Sequence, residues 1–217
     1  MATGCTIAVD GPAASGKTTL ARRLAERLGC AFLDTGLLYR GVAKALADAG
    51  ATTSDKDSAV RAALALTPAA LDPELLATEA IGRGASEVAV IPEVRQALLD
   101  LQRRVAAAPA GAILAGRDIG TVVCPLAPVK LFVTADVDKR AERRLEQLRR
   151  LGRSVNIHQV LDELKERDRR DTERAVAPLC VAEDALVVDT TMLDVEQAFA
   201  VALRHVTDRM AALSRQP

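Results

Sequence analysis

The chain has 217 residues, a length suited to one domain with small insertions. Hydrophobic residues make up 49% and charged residues 27%, and 29 basic residues balance 29 acidic ones. A net charge of zero disfavours binding to a nucleic-acid polymer, and 2% aromatic residues leave few side chains to stack on bases.

The sequence also bears on the cellular compartment. No apolar run reaches the roughly 18–20 residues of a membrane helix, so we expect no membrane partner. The first residues lack a basic segment and reach Asp10 too early for a secretory signal, which predicts a cytoplasmic protein. Cys5, Cys30 and Cys180 have apolar neighbours and are expected to be buried free thiols. Two histidines and no CxxC pair predict no structural metal.

The first elements follow a strand–helix–strand pattern. An apolar run over 5–9 ends at Asp10 and a loop of small residues. From Lys17 onward leucines recur at every fourth position, which predicts an amphipathic helix that Gly29 ends. A second apolar run over 30–33 precedes another helix. This order indicates a βαβ unit and therefore a parallel sheet.

Further strands and helices are expected after this unit. Pro92 stands where a helix can begin, and apolar residues at helical spacing follow it. The last helix is predicted at roughly 195–213. Three apolar runs predict core strands, at 112–115, 129–133 and 185–188.

Two excursions interrupt this α/β pattern. Residues 52–92 contain short helical pieces and two internal prolines. Residues 138–174 are dense in charge, with 12 Lys and Arg against 9 Asp and Glu. We predict a single domain, 1–217, whose core comprises about 1–51, 93–137 and 175–217.

A phosphate-binding loop follows the first strand. Residues 11–18 fit G-x-x-x-x-G-K-[ST] at every fixed position. The two glycines permit a backbone path that turns N–H groups toward phosphate oxygens, and the helix start adds partial positive charge. Lys17 supplies a full charge to the phosphates, and the Thr18 hydroxyl can bind Mg²⁺. The candidate ATP-binding residues are Gly11, Pro12, Ala13, Ala14, Ser15, Gly16, Lys17, Thr18 and Thr19.

The loop alone leaves the reaction open. A GTPase reads guanine with N-K-x-D, whereas the only asparagine, Asn156, precedes Ile-His-Gln. A motor ATPase usually has an acid directly after an apolar strand, but Gly-Arg-Asp follows Ala115. Phosphoryl transfer to a small acceptor fits the length best, and a nucleotide-dependent binding protein is a further alternative.

Arginines are the expected partners of two crowded nucleotides, because phosphoryl transfer concentrates negative charge. At the strand ends of a parallel sheet such residues face the ligand crevice. The candidates are Arg40, Arg95, Arg117, Arg167 and Arg174.

Blocks of sequence between about residues 4 and 205 resemble the bacterial cytidylate kinases. The phosphate loop is followed by Asp-Thr-Gly-Leu-Leu-Tyr-Arg at 34–40 and Ser-Glu-Val-Ala at 86–89. Gly-Arg-Asp-Ile-Gly-Thr-Val-Val at 116–123 and R-D-x-x-D-x-x-R-x-x-x-P-L at 167–179 come next, in the family's order.

The resemblance implies an α/β P-loop kinase with a five-stranded parallel sheet flanked by helices. It implies a shortened CMP-binding insert at about 52–92 and a helical lid at about 138–174. The implied reaction is ATP-dependent phosphorylation of CMP and dCMP, with Mg²⁺. Nothing in the sequence suggests an obligate interface, so we expect a monomer.

The resemblance also assigns roles to single residues. The expected cytosine contacts are Ser86, Arg95 and Asp171, the sugar contacts Thr35, Asp118 and Arg167, and the acceptor-phosphate contacts Arg40, Arg117 and Arg174. The catalytic candidates are Lys17, Arg117, Arg167 and Arg174. Tyr39 is placed near the acceptor site, with a core or rim position as its alternative.

Three features depart from the family pattern. Ala14 stands where the phosphate loop usually has glycine, and Ala115 where Asp or Glu is common. Any metal-water or sugar contact of that carboxylate is therefore absent or comes from Asp34 or Asp118. The 52–92 insert is short for the family and lacks its strand-rich run.

Overall fold

A parallel sheet forms the centre of the structure, a computed structural model that describes residues 5–68 and 71–215. Its five strands lie in the order β2-β3-β1-β4-β5. They are β1 (Thr6–Asp10), β2 (Ala31–Asp34), β3 (Ala112–Gly116), β4 (Val129–Thr134) and β5 (Leu186–Asp189). The predicted fold class, a five-stranded parallel sheet flanked by helices, is confirmed.

The helices begin and end at the local signals of the sequence. They are α1 (Lys17–Leu28), α2 (Thr35–Asp48), α3 (Lys56–Leu64), α4 (Glu79–Val88), α5 (Pro92–Ala106), α6 (Val137–Arg150), α7 (Ile157–Glu173) and α8 (Val195–Leu213). Gly29 ends α1 in the left-handed region at φ 69°, and its N–H donates to the carbonyl of Ala25. Pro92 opens α5, where the missing N–H of proline costs no hydrogen bond.

The neighbours of each strand differ from chain order. Although β1, α1 and β2 follow one another, β3 lies between the two strands and pairs with both. Every residue of β3 is buried, which suits a central strand. In this register Asp10 lies beside Gly116, and Asp34 beside Ala115. The carboxyl ends of the first three strands therefore meet at one edge of the sheet.

Two apolar layers cover the sheet, and alternate strand residues point to opposite sides. On one side Ala8 and Leu114 pack with residues of α2 and α5. On the other side Ile7 and Ile113 pack with α1 and α8. The layers hold the central strands rigidly, so the carboxyl edge is a stable support for side chains.

Residues 52–92, the insert segment, contain α3 and α4 and form no strand in their described part. A Cβ on Gly41 of α2 would lie 2.6 Å from Leu71 Cδ2, and one on Gly84 of α4 would lie 3.1 Å from Ala43 Cβ. These small residues allow α2 and the insert segment to pack closely.

Residues 138–174, the lid segment, form most of α6 and all of α7. The two helices enclose a small apolar cluster that includes Leu145, Leu148 and Leu164, and Ala13 of the phosphate loop packs against it. The lid segment thus contacts the sheet domain through the loop that is expected to bind ATP.

The cysteines correct one sequence expectation. The structure describes all four, and all are free thiols, but Cys180 is exposed and Cys5 and Cys30 are only half-buried. Cys180 lies after α7 next to Leu179, and it is Leu179 that is buried. Apolar neighbours in the sequence did not imply that Cys180 is buried, because the chain after α7 is irregular and the side chains of consecutive residues point in different directions.

Within the described residues, no helix combines the length and the hydropathy that crossing a membrane requires.

Candidate active site

The phosphate loop has the backbone that its glycines permit. Gly11 has a φ of 149°, and a Cβ there would lie 2.0 Å from the carbonyl oxygen of Val133. Gly16, the residue before α1, has a φ of 91°. Ala14 also lies in the left-handed region, at φ 59°. An L-residue costs roughly 1–2 kcal/mol there, so the alanine that departs from the family pattern carries local strain.

Lys17 is buried at the first position of α1, with 7% of its surface exposed. Its Nζ donates to the carbonyl of Pro12 at 2.9 Å, which folds the side chain over the loop. Burial and the positive charge of Arg117 hold the pKa of Lys17 well below its usual range. An anion bound in the loop would offset both effects and favour the charged ammonium.

Oxygen atoms of Thr18 and Asp34 meet where α1 begins and β2 ends. The Thr18 hydroxyl donates to Asp34 Oδ2 at 3.1 Å, while Asp34 Oδ1 accepts from the Gly36 N–H at 2.9 Å and so caps α2. A hydroxyl and a carboxylate are oxygen donors of the kind that Mg²⁺ prefers. The hydroxyl of Ser15 is buried and has no hydrogen-bond partner among the described residues, whereas Thr19 is exposed on the first turn of α1.

Asp118 joins two of the predicted arginines. Arg95 forms a buried ion pair with its Oδ2, and Arg174 Nη2 lies 3.4 Å from its Oδ1. The guanidinium of Arg95 also lies 5.7 Å from the ring centre of Tyr39, within the range of a cation–π contact. Tyr39 is buried, and these four side chains form one network.

Asp171 holds a second network, close to the phosphate loop. Arg117 Nε donates to Asp171 Oδ2 at 2.7 Å. Burial opposes ionisation of Asp171, but Arg117 and Arg167 outweigh it and lower the pKa of Asp171. Burial, then the charge of Arg117, lower the pKa of Arg167 to about 9. The Nε of Arg167 has no hydrogen-bond partner among the described residues. This N–H group is therefore available to donate to an anion.

The other predicted acceptor residues lie around these networks. Arg40 donates to the carbonyls of Leu76 and Thr78 at 2.6 and 3.3 Å, and therefore faces the insert segment. The Thr35 hydroxyl donates to the carbonyl of Ala115 at 2.9 Å. The Ser86 hydroxyl is buried and has no hydrogen-bond partner among the described residues.

Sequence reasoning missed Arg140, a buried residue of α6. Its Nη2 pairs with Asp168 Oδ2 at 2.7 Å, and its Nη1 donates to the carbonyl of Ala13 at 3.2 Å. Arg140 therefore ties both lid helices to the phosphate loop. The apolar repeat of α6 does not mark it, because at 3.6 residues per turn position 140 lies about 140° around the helix from Leu145, so the sequence offered no clear signal.

Sequence reasoning also gave no role to Asp10, the last residue of β1. It is buried, with 5% of its surface exposed, and both carboxylate oxygens accept backbone N–H groups from the turn after β3. An acidic residue at the end of an apolar strand, directly before the phosphate loop, was the available signal.

Comparisons with known proteins identify the family. The family model for cytidylate kinase matches residues 7–208. The cytidylate kinase of Rhodospirillum rubrum is 56% identical over 201 residues, which cover 91% of this chain and 94% of the relative. That of Paramagnetospirillum magneticum is 58% identical over 200 residues, with 91% and 95% covered. That of Xanthobacter autotrophicus is 55% identical over 205 residues, with 94% and 98% covered.

The fold also has solved counterparts. Shikimate kinase from Bacteroides thetaiotaomicron superposes with a TM-score of 0.51 at 14% identity, and the match covers 97% of this chain and 99% of that chain. At that identity the likeness concerns the fold alone, while the family model and the relatives above share sequence over nearly the whole length. The chain therefore belongs to the cytidylate kinase family of enzymes.

Proposed function

We propose that the protein transfers the γ-phosphoryl group of ATP directly, in line, to the phosphate of CMP or dCMP, which gives ADP and CDP or dCDP. The observation that supports this proposal is a pair of cation-rich regions at one edge of one sheet. The phosphate loop supplies Lys17, and the acceptor side supplies Arg117, Arg167 and Arg174. The name of the relatives, cytidylate kinase, supports CMP as the acceptor.

The protein acts mainly by position and charge, because phosphoryl transfer needs little covalent chemistry from side chains. The loop N–H groups and Lys17 bind the β- and γ-phosphates of the donor. Arg40, Arg117 and Arg174 hold the acceptor phosphate, and Arg117 and Arg167 stabilise charge on the transferring group. These donors lie in a buried region, where electrostatic stabilisation is stronger than in water.

Mg²⁺ suits the oxygen atoms at the start of α1. Thr18 and Asp34 would hold the ion together with the nucleotide phosphates, and the bound ion neutralises charge on those phosphates. Asp118 is already paired with Arg95 and Arg174, so Asp34 is the better substitute for the carboxylate absent at Ala115.

The acceptor side contains the groups that can read cytosine. The cytosine N4 amino group donates and can meet the Asp171 carboxylate, while Arg95 can donate to the O2 and N3 edge. The unpartnered Ser86 hydroxyl offers a third contact. Arg117 pairs with Asp171, and Arg95 pairs with Asp118. The groups proposed for the phosphate, the sugar and the base of CMP are therefore held next to one another.

We further propose that the lid segment closes over both nucleotides and excludes water, since Arg167 and Arg174 reach the site from α7 and its end. We propose ATP and CMP or dCMP as the partners of the protein. We also propose that the protein is cytoplasmic and acts as a monomer.

A panel of acceptors tests the proposal. ADP release is measured with ATP and Mg²⁺ in the presence of CMP, dCMP, UMP, AMP or shikimate, and without acceptor to measure ATP hydrolysis. We expect CMP and dCMP to give the highest kcat/KM. A higher kcat/KM for another acceptor, or ADP release that is independent of acceptor, contradicts the proposal.

A further inference from the structure

Asp10 occupies the junction between the donor and acceptor sides of the site. It is the last residue of β1, and Gly11 directly after it begins the phosphate loop. In the sheet it lies beside Gly116, the last residue of β3, from which Arg117 and Asp118 follow. One buried side chain at this point therefore connects the strand that precedes the phosphate loop with the turn on the acceptor side.

Its carboxylate binds the turn that follows Asp118. Asp10 Oδ1 accepts from the Ile119 N–H at 2.8 Å, and Oδ2 accepts from the Gly120 N–H at 2.7 Å. Residues 119–123 form a π-helical turn, and Asp118 makes no side-chain cap for it. Asp10 supplies that cap from another strand and leaves the Asp118 side chain to Arg95 and Arg174.

The turn is closely packed at Gly120. A Cβ added to Gly120 would lie 3.4 Å from Asp10 Oδ2 and 3.1 Å from Cδ of Lys130. The absence of a side chain lets the carboxylate and the aliphatic part of Lys130 both contact the turn. The Asp10 carboxylate thus packs directly against Gly120, whose N–H it accepts.

The contact favours an ionised Asp10. Both neighbours are N–H donors, and a protonated carboxyl group would direct its own O–H toward one of them. Burial raises the pKa of Asp10 to about 6, although the N–H groups of Gly120 and Ile119 and the charge of Lys17 favour the ionised form. Two aligned backbone donors are the physical reason that a carboxylate is retained in the core.

We infer that Asp10 is a positioning residue that fixes the 117–123 turn, and with it Arg117 and Asp118, for the acceptor nucleotide. Asp10 acts through these two residues and contacts neither nucleotide. The inference rests on their proposed acceptor roles. Loss of the Asp10 carboxylate should therefore affect KM for CMP and not KM for ATP, because the phosphate loop keeps its own backbone and Lys17.

Asp10→Asn tests the inference at constant volume. Its amide oxygen can accept one of the two N–H groups, while its NH₂ faces the other donor. We expect KM for CMP to rise about tenfold or more, as for the loss of a charge-assisted hydrogen bond, while KM for ATP stays within about twofold. Hydrogen exchange at the Ile119 and Gly120 amides should be faster in the variant.

Ile7→Val is the matched control, since it loosens the packing of the same strand without touching the turn. It should leave both KM values unchanged. If Asp10→Asn does not fold, Gly120→Val is the second variant, because its branched side chain extends beyond a Cβ that would already lie 3.4 Å from Asp10 Oδ2. It perturbs the contact from the other side and should produce the same split in KM.

The outcomes separate this inference from the proposed function. A wild-type enzyme that does not phosphorylate CMP contradicts the proposed function, and the amide exchange still tests whether Asp10 holds the turn. A wild-type enzyme that phosphorylates CMP, with a folded Asp10→Asn variant whose KM for CMP is unchanged or whose two KM values rise equally, overturns the inference.

Discussion

Among the described residues, the buried Lys17 donates to one neutral acceptor, the carbonyl of Pro12. Burying an ammonium is costly, and a phosphate bound in the loop would supply a compensating negative charge. At the scale of single residues, this lysine and the acceptor carboxylate Asp171 give the most direct tests of the proposed mechanism.

Replacing Lys17 by alanine should lower kcat about 100-fold or more without unfolding the protein. The variant loses a charge aimed at the transferring phosphoryl group, which contributes several kcal/mol to the transition state. The measurement is kcat from ADP release with CMP. Lys44→Ala, which removes an exposed lysine paired with Asp48, is the control and should stay within about twofold of wild type. More than a tenth of wild-type kcat in Lys17→Ala contradicts the assignment.

Asp171→Asn should reduce the preference for CMP over UMP by about tenfold or more. Uracil presents O4, an acceptor, to the carboxylate, and an amide can instead donate to it. The measurement is the ratio of kcat/KM for the two acceptors in wild type and variant. If Asp171 serves only as the ion-pair partner of Arg117, kcat/KM should fall equally for CMP and UMP, and the ratio should not change. Asp184→Asn removes a carboxylate paired with Lys130 and should keep the wild-type ratio.

The elements next to the site are joined by buried charge rather than by apolar contact alone. Helices α6 and α7 enclose only a small apolar cluster, and the lid segment has many charged residues. Arg140 adds an ion pair to Asp168 of α7 and hydrogen bonds to the carbonyls of Ala13 and Ala135. The packing of the lid helices on the phosphate loop therefore depends on one guanidinium.

Arg140→Ala should destabilise the protein by about 3 kcal/mol, because it leaves the Asp168 carboxylate and two carbonyls without their donor. It should also raise KM for ATP, since Ala13 lies in the phosphate loop. Urea unfolding and ATP kinetics measure the two effects. The neighbouring Lys139 is exposed and pairs only with Glu142, so Lys139→Ala should change stability by less than about 0.5 kcal/mol. Equal stability of the two variants contradicts the role of Arg140.

Across the whole molecule, the insert and lid segments meet through acidic groups. Glu163 of α7 faces Glu79 at the start of α4, and Arg144 and Arg83 lie nearby. Burial, then the neighbouring Glu79 carboxyl, raise the pKa of Glu163 to about 7, against the opposing effect of the two arginines. The two segments therefore share a contact whose charge changes near neutral pH.

The contact between the segments should be stronger in mild acid. Because the pKa of Glu163 lies above its ordinary value of 4.5, its stabilising contribution is complete below about pH 4.5 and is lost as the pH rises through about 7. Hydrogen-exchange protection factors for 157–173, corrected for intrinsic rates, should be higher at pH 6 than at pH 8. Glu163→Gln should abolish this difference, and Glu166→Gln, in an exposed pair with Arg169, should retain it. Equal protection of the wild type at both pH values contradicts the expectation.

Features with local causes could be predicted from the sequence alone. The G-x-x-x-x-G-K-T loop, the end of α1 at Gly29 and the start of α5 at Pro92 lie where they were predicted. A left-handed glycine, a proline ring and a helical repeat act within a few residues, so their effect can be read without the rest of the chain. The family blocks likewise identified the family and the residues proposed for the site.

Contacts between residues far apart in the chain could not be predicted in this way and depend on the fold. The fold places β3 between β1 and β2, and the Asp10 carboxylate accepts a hydrogen bond from the N–H of Ile119, 109 positions away. The fold also pairs Asp171 with Arg117 and Arg140 with Asp168. Each partner is chosen by the order of strands and by the packing of whole helices, because a buried charge must be satisfied by whatever the fold brings within hydrogen-bond distance. No periodicity along the chain carries that information.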